Sequence, residues 1–340
     1  MAVLTFKSSE YKTFPEFLRD YASHMAMIKG NSEKTVCEYL LDIRTFFRYM
    51  IVKDGDTQPD DFEDISIRDL TLDAANRVTS QNVIDFLMYA GFERENSPTT
   101  RMRKLSALRS LFHYLHGKKH LIDSDPTAGV DSPKKKRVLP KYLSVDEALR
   151  LLETVKSDSE SKTVKRDYAI ITLFLNTGMR LSELVGLNLQ SFAPDLSTVK
   201  VLGKGNKERM VYLNAAARDA VAEYLRVRLD PKYISTSEKA MFISLREQRI
   251  SNKTVQWMVH RYLSLAGLGS KGLSVHKLRH TAATLMYQTG KVDIRVLKDI
   301  LGHEQLNTTQ IYTHVVDRNI EDAMNENPLA DIRTDKTAKK

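Results

Sequence analysis

The stretch RLSELVGLNLQSFAPDLSTVKVLGKGNKERMVYL, Arg180 to Leu213, changes its periodicity within a short span. Its opening, RLSELVGL, reads as a short helix after the buried helix RDYAIITLFLNTGM. STVKVL and RMVYL then read as two β runs joined by the Gly-rich turn GKGNKE, the pattern of a hairpin. A third short strand is expected at MFIS, Met241 to Ser244. Working outward, Ser144 and Glu147 form a capping box ahead of ALRLLETV. Three further helical patterns follow the strands: SNKTVQWMVHRYLSLAG, SVHKLRHTAATLMYQTG and DIRVLKDILG. The expectation is a mainly α fold with a small antiparallel β-sheet.

The first half reads as helices throughout. Phe14, Phe17, Leu18, Tyr21, Met25 and Ile28 keep the 3.6 period behind Thr13 as N-cap. Ser32 caps a second helix with the stripe Val36, Leu40, Ile43, Phe47 and Met50. Ser80 opens a third, which Gly91 is expected to stop. Pro98 sits in the first turn of a fourth, which buries Leu105, Leu108, Leu111, Phe112 and Leu115. Arg101, Arg103, Lys104 and Arg109 spread along its other side, a row suited to phosphates. The acidic segment after the second helix reads, at its start, as a solvent-exposed loop pointing away from any nucleic acid. SDPTAGVDSPKKKRVLPKYLS, Ser124 to Ser144, is a linker around the cations Lys134, Lys135, Lys136 and Arg137. A nuclear-localisation patch has a similar composition, but a strap crossing a phosphate backbone explains it equally well. The expected organisation is a helical domain over 1–123, a basic linker over 124–143, a second domain over 144–316 and a tail over 317–340.

Composition narrows the function classes. At 42% hydrophobic and 28% charged residues the chain reads as a soluble globular protein. Its longest apolar stretch, Tyr168 to Leu175, is far too short to span a bilayer. The first ten residues carry no signal-peptide core, so a cytoplasmic protein with no membrane partner is expected. The single cysteine, Cys37, excludes an intrachain disulfide and a thiolate metal cluster. A net charge of +9 favours a polyanionic partner.

Two motifs are decoys. GLGSKG, Gly267 to Gly272, fits the dinucleotide fingerprint but follows a helix and lacks a βαβ unit. His276 and His280 in HKLRH have the spacing of zinc proteases, yet Lys277 stands where the glutamate base belongs and Arg279 sets a cation beside the metal position. No metal and no cofactor are expected.

What remains is a set of polar residues at apolar places. Arg180 emerges beside a core, Arg279 follows His276 by one turn, and Lys204 sits at the hairpin tip between Gly203 and Gly205. His303 and Tyr312 lie in LGHEQLNTTQIYTH, Leu301 to His314. Two arginines, a lysine, two histidines and a tyrosine match attack by a phenolate on a phosphodiester. Guanidinium forks clamp the nonbridging oxygens of the transition state. A phenol with pKa near ~10 needs cations and a base to react, and a lysine on a turn can protonate the leaving 5′-oxygen. Spacing alone separates Lys204 poorly from Lys207 for that last task.

TGMRLSELVGL, GKGNKERMVYL, HKLRHTAATLM and LGHEQLNTTQIYTHV occur in an order that resembles the tyrosine recombinases, most closely the Xer-like and phage or transposon integrase branch. SEKTVCEYLLDIRTFFRYM and TRMRKLSALRSLFHYL resemble that family's helical core-binding domain more loosely. The resemblance implies that Tyr312 attacks the scissile phosphate, giving a 3′-phosphotyrosyl link and a free 5′-hydroxyl. It implies Arg180 and Arg279 as the phosphate clamp, Lys204 as general acid, His276 and His303 as proton-handling partners, and Glu183 as a brace. The implied partner is double-stranded DNA with paired recombination sites, bound by a homotetramer that is a monomer or weak dimer when free. An accessory protein and a mobile-element role are left open. The resemblance implies a tail helix passed to the neighbouring subunit. The acidic stretch Asp54 to Asp73 and the tail to Lys340 depart from the pattern, and no arm-binding domain is expected ahead of residue 10. A type IB topoisomerase or hairpin resolvase would use the same groups, and a DNA-binding regulator would not require Tyr312 or His276.

Overall fold

The structure is a computed structural model, described over residues 4–55, 62–133, 141–203, 207–230 and 238–302 and at residue 309. It divides into two compact units, Met1–Arg137 and Val138–Lys340.

The first unit is helical: α1 (Glu16–Ser23), α2 (Glu33–Lys53), α3 (Leu72–Asn76), α4 (Ser80–Phe92) and α5 (Pro98–Gly117). The expected stripes of α2 and α5 are all buried, and Phe46 of α2 meets Phe86 of α4 and Phe112 of α5 edge-on. Ser32 and Ser97 cap α2 and α5 through their hydroxyls. Three local expectations need correction. Thr13 does not cap α1; its hydroxyl donates to the Glu10 carbonyl and closes a 3-10 turn, so Pro15 starts the helix. After Ser23 the backbone widens into a π turn over His24–Ile28, which leaves Ile28 74% exposed. Gly91 does not stop α4, which runs to Phe92. A Cβ there would lie 3.0 Å from Nη1 of Arg101, so close approach explains the glycine. Residues 124–133, read as part of the linker, lie within this unit, and Val130 belongs to its core.

The second unit contains α6 (Val145–Lys156), α7 (Val164–Thr177), α8 (Leu181–Gly186), β1 (Thr198–Leu202), β2 (Glu208–Tyr212), α9 (Ala215–Arg228), α10 (Asn252–Leu265), α11 (Val275–Gln288) and α12 (Ile294–Leu301). Helix α7 is buried nearly all round by Ala169, Ile170, Ile171, Leu173 and Phe174, the signature of a central helix. It packs on α6, α9 and α11. The Ser144–Glu147 capping box forms as expected. Helix α9 was not anticipated. Its cap, Asn214, accepts from the Ala217 amide, and its inward face is mostly small: Ala217, Ala220, Val221 and Tyr224.

Among the described residues the sheet is the antiparallel β1–β2 hairpin, in register from Thr198↔Tyr212 to Leu202↔Glu208. MFIS does not become a third strand. Its backbone bonds scatter to loops: Met241 donates to the Leu187 carbonyl, Ser244 to Gln248, and Phe242 accepts from Ile250, while Arg166 donates to the Ile243 carbonyl. Isolated bridges Asn188↔Ala240 and Ile243↔Arg249 are what is left. GLGSKG is a helix-to-helix turn, with Gly267 and Gly272 at positive φ. Among the described residues no helix is long and apolar enough to cross a membrane.

Candidate active site

Helix α7 ends at Gly178, whose φ of +61° is a left-handed C-cap that turns the chain sharply. Two residues on, Arg180 is extended and serves as the N-cap of α8. Glu183 then falls in the first turn, where a carboxylate suits a helix N-terminus. Glu183 is 3% exposed and has three donors. Arg180 gives it a backbone N–H at 2.7 Å and Nη1 at 2.8 Å, and Arg209 gives Nη2 at 2.9 Å.

The opposite wall is the C-terminal turn of α12. Gly302, at φ +64°, ends that helix and leaves its last carbonyls facing the arginines. Arg180 Nη2 donates to the Gly302 carbonyl at 2.7 Å. Buried Arg279, on α11, donates Nη2 to the Leu301 carbonyl at 2.8 Å and Nη1 to the Gly178 carbonyl at 2.6 Å. Cations gather here because the C-terminal carbonyls of a helix carry partial negative charge. The two sequence-predicted arginines, far apart in the chain, thus meet at one turn.

Arg209 is the member that the sequence reading missed. On β2 the burial alternates, so Arg209 and Val211 point inward while Glu208, Met210 and Tyr212 point out. An arginine in phase with a core valine was the available signal. Its Nε and Nη1 are buried without hydrogen-bond partners. Burial lowers the pKa of its guanidinium; Glu183 opposes that shift and Arg180 adds to it.

His276 stands on the first turn of α11, one turn before His280, their rings edge to face at 4.5 Å. By surface area His276 is exposed, although its ring is hemmed in on the protein side. That partial desolvation lowers its imidazole pKa, and Arg279, Lys277 and Arg180 lower it further. Exposure of the edge with crowding of the base suits a group that must both meet substrate and stay neutral.

Lys204, His303 and Tyr312 lie outside the described residues, as does the strap Lys134, Lys135, Lys136 and Arg137. The hairpin stem before Lys204 is described. Gly203 donates to the Lys207 carbonyl at 2.7 Å, and a Cβ on it would lie 3.8 Å from Glu183.

The α5 cations do not form the free row that their spacing suggested. Lys104 is 6% exposed and donates to Asp42, itself buried, at 3.1 Å. Arg103 Nη1 lies 2.6 Å from the other Asp42 oxygen, in ion-pair contact without hydrogen-bond alignment. Even so, burial raises the Asp42 pKa against both cations. Arg109 donates to the Val130 carbonyl and the Ser132 hydroxyl, and Arg101 packs against Gly91. The apolar face of α5 is wide enough to draw these long side chains along it, so sequence periodicity overstated how many reach solvent.

A mainly helical unit with a hairpin, whose centre sets Arg180 and Arg209 on Glu183 and Arg180 and Arg279 on the Leu301–Gly302 turn, is suited to an anionic substrate. Residues 141–319 match the phage integrase family, and the chain belongs to that family. It is a tyrosine recombinase of Xer-like type, a DNA recombinase. It is similar to the tyrosine recombinase XerC of Caldanaerobacter subterraneus subsp. tengcongensis, 43% identical over 93% of this chain and 88% of the relative. XerD of Haemophilus influenzae is 36% identical over 84% of this chain and 89% of its own length. In fold the chain resembles the XerH site-specific recombinase bound to its difH substrate, with a TM-score of 0.66 at 22% identity, covering 96% of this chain and 90% of that one. A lambda integrase tetramer bound to a Holliday junction gives 0.60 at 18%, over 85% and 76%. The topoisomerase and regulator alternatives are not favoured.

Proposed function

We propose that this recombinase cuts each strand by attack of the Tyr312 oxygen on the scissile phosphorus, forming a 3′-phosphotyrosyl bond as the bond to the 5′-oxygen breaks. The phenolic proton passes to a base, for which His276 in its neutral form is suited. Lys204 delivers a proton to the leaving 5′-oxygen, and His303 donates a hydrogen bond to the phosphate. Arg180 and Arg279 hold the nonbridging oxygens, and Glu183 holds Arg180 in place for them. A 5′-hydroxyl from a partner strand then reverses the chemistry and completes the exchange, because the phosphotyrosyl bond conserves the energy of the diester.

The observation that carries this reading is the convergence of Arg180 and Arg279 on the Leu301–Gly302 turn, directly before the segment that bears His303 and Tyr312. The four-motif order supports the remaining roles. On two paired sites, in the cytoplasm, the active assembly is a homotetramer whose 317–340 tails pass between neighbours; the lambda integrase tetramer bound to a Holliday junction supports only the tetramer on DNA. Lys134, Lys135, Lys136 and Arg137 cross a phosphate backbone as a basic strap.

Tyr312→Phe tests the central step. On a nicked suicide duplex, the variant should shift DNA in a native gel as the unaltered chain does, while forming no covalent adduct on a denaturing gel. An adduct that survives the substitution would assign the nucleophile elsewhere.

A further inference from the structure

Arg209 combines three features that a structural arginine rarely shows together. One of its nitrogens, Nη2, is committed to Glu183, yet Nε and Nη1 are buried with no acceptor. Glu183 already serves Arg180 through its other oxygen and its backbone contact, so the carboxylate has little left to offer Arg209. The charge count is unequal: among the described residues Arg180 and Arg209 share the one carboxylate of Glu183, while Arg279 rests on peptide carbonyls. Leaving two charged N–H donors unmet is costly, and natural proteins leave such donors open mainly where a ligand completes them.

The neighbours of Arg209 indicate the class of ligand. Gly302 lies directly over it: a Cβ on Gly302 would stand 2.5 Å from Arg209 Nε. That glycine is the same residue whose carbonyl holds Arg180, and the residue before it holds Arg279. All three guanidiniums therefore face one turn, and two of them rest on peptide carbonyls there. Carbonyl oxygens at a helix C-terminus are the neutral counterpart of phosphate oxygens, matching the same donors with less charge.

We infer that Arg209 is a third phosphate-binding guanidinium of this site, whose unmet Nη1 donates to a nonbridging oxygen of the scissile DNA phosphate when the Leu301–Gly302 turn draws aside. This rests on the phosphotyrosyl reading above and extends it. Arg209 would be a catalytic residue in its own right, beyond the Arg180 and Arg279 pair, and Glu183 would space two clamp arginines and not one. With Nη2 on Glu183 and Nη1 on the phosphate, the planar guanidinium fixes the direction of the contact, so a lysine at this position would supply charge without that geometry.

The experiment is a cycle between protein and DNA, using full-length chain and a duplex that the protein selects from randomised DNA. The DNA carries either the natural diester or a neutral methylphosphonate at the scissile position. Affinities are measured with Tyr312→Phe present throughout, so that no cleavage intervenes. With Arg209 intact, neutralising the phosphate should weaken binding by about tenfold, the worth of a charge-assisted contact. With Arg209→Ala or Arg209→Lys, the same neutralisation should cost much less. On the diester, with Tyr312 restored, Arg209→Ala should slow adduct formation by roughly 100-fold, the scale for one preorganised donor. If Arg209 only braces Glu183, its removal and the methylphosphonate will weaken binding independently, and that additivity overturns the inference. Unchanged cleavage by Arg209→Ala overturns it as well. Unaltered chain that forms no Tyr312 adduct on the diester refutes the phosphotyrosyl reading itself, a failure distinct from either outcome for Arg209.

Discussion

Partly desolvated on the first turn of α11 and flanked by Arg279 and Lys277, His276 resists protonation, first because burial disfavours its charge and then because a third cation would join those already present. Its lowered pKa means that His276 stays neutral to a lower pH than the ~6.5 of a free imidazole. The sign for stability follows. The folded chain binds fewer protons at this site than the unfolded one, so stability is lost as pH falls through and below that value. For catalysis the same shift keeps a proton acceptor available in mildly acidic solution. Lys277→Met removes one of the repelling charges without touching the clamp. The acid limb of single-turnover cleavage should therefore move to higher pH; a limb that stays put would mean that another group controls it. At this scale the meeting of Arg180, Glu183 and Arg279 beside one turn was legible, because each stands in one of the ordered motifs. Arg209 was not, because in sequence it is one more cation in a basic turn. Only the phase of β2 against the core shows that it points inward.

Between residues, glycines set how closely elements approach. Gly178 lets α7 end under α12, where a Cβ would come within 2.7 Å of the Leu301 side chain. Leu301 is fully buried and has no room to yield. Gly290, after α11, shares the positive φ but has open space around it. Replacing each by alanine separates strain from crowding. Gly290→Ala should cost about 1 kcal/mol from the left-handed backbone alone. Gly178→Ala should cost roughly 2–4 kcal/mol, strain plus overpacking, and should slow cleavage because the Gly178 carbonyl and Leu301 both position Arg279. Urea unfolding of the two variants checks the difference, and equal losses would show that packing against Leu301 is immaterial. Helices with strong caps and wide apolar stripes, such as α2, α5 and α6, were legible from periodicity. Helix α9 was not, since alanines make a faint stripe. MFIS looked like a strand because its side chains suit one, while its backbone bonds go to Leu187, Gln248 and Ile250 in loops and to Arg166, not to a neighbouring strand.

Over the whole chain the surplus of +9 must find phosphates, and the structure narrows where. Lys104 is committed to Asp42 inside the first unit, so its charge is unavailable to DNA unless that pair breaks. The strap Lys134, Lys135, Lys136 and Arg137 carries no such commitment in the sequence, being a run of cations without an acid among them. The two sets should respond oppositely to substitution. Lys104→Met strands a buried carboxylate and should destabilise the chain by about 3 kcal/mol, the low end for a broken buried pair because Arg103 still reaches Asp42. Its effect on the salt dependence of DNA affinity should be small. Alanine at all four strap positions should leave the unfolding midpoint unchanged. It should also reduce the slope of log affinity against log salt by up to about 3.6, near 0.9 for each phosphate no longer neutralised. Chemical unfolding and a salt titration on one duplex measure both quantities for both variants. A strap variant with an unchanged slope would make that segment a spacer, and would return the phosphate contacts to the catalytic face and the exposed parts of α5.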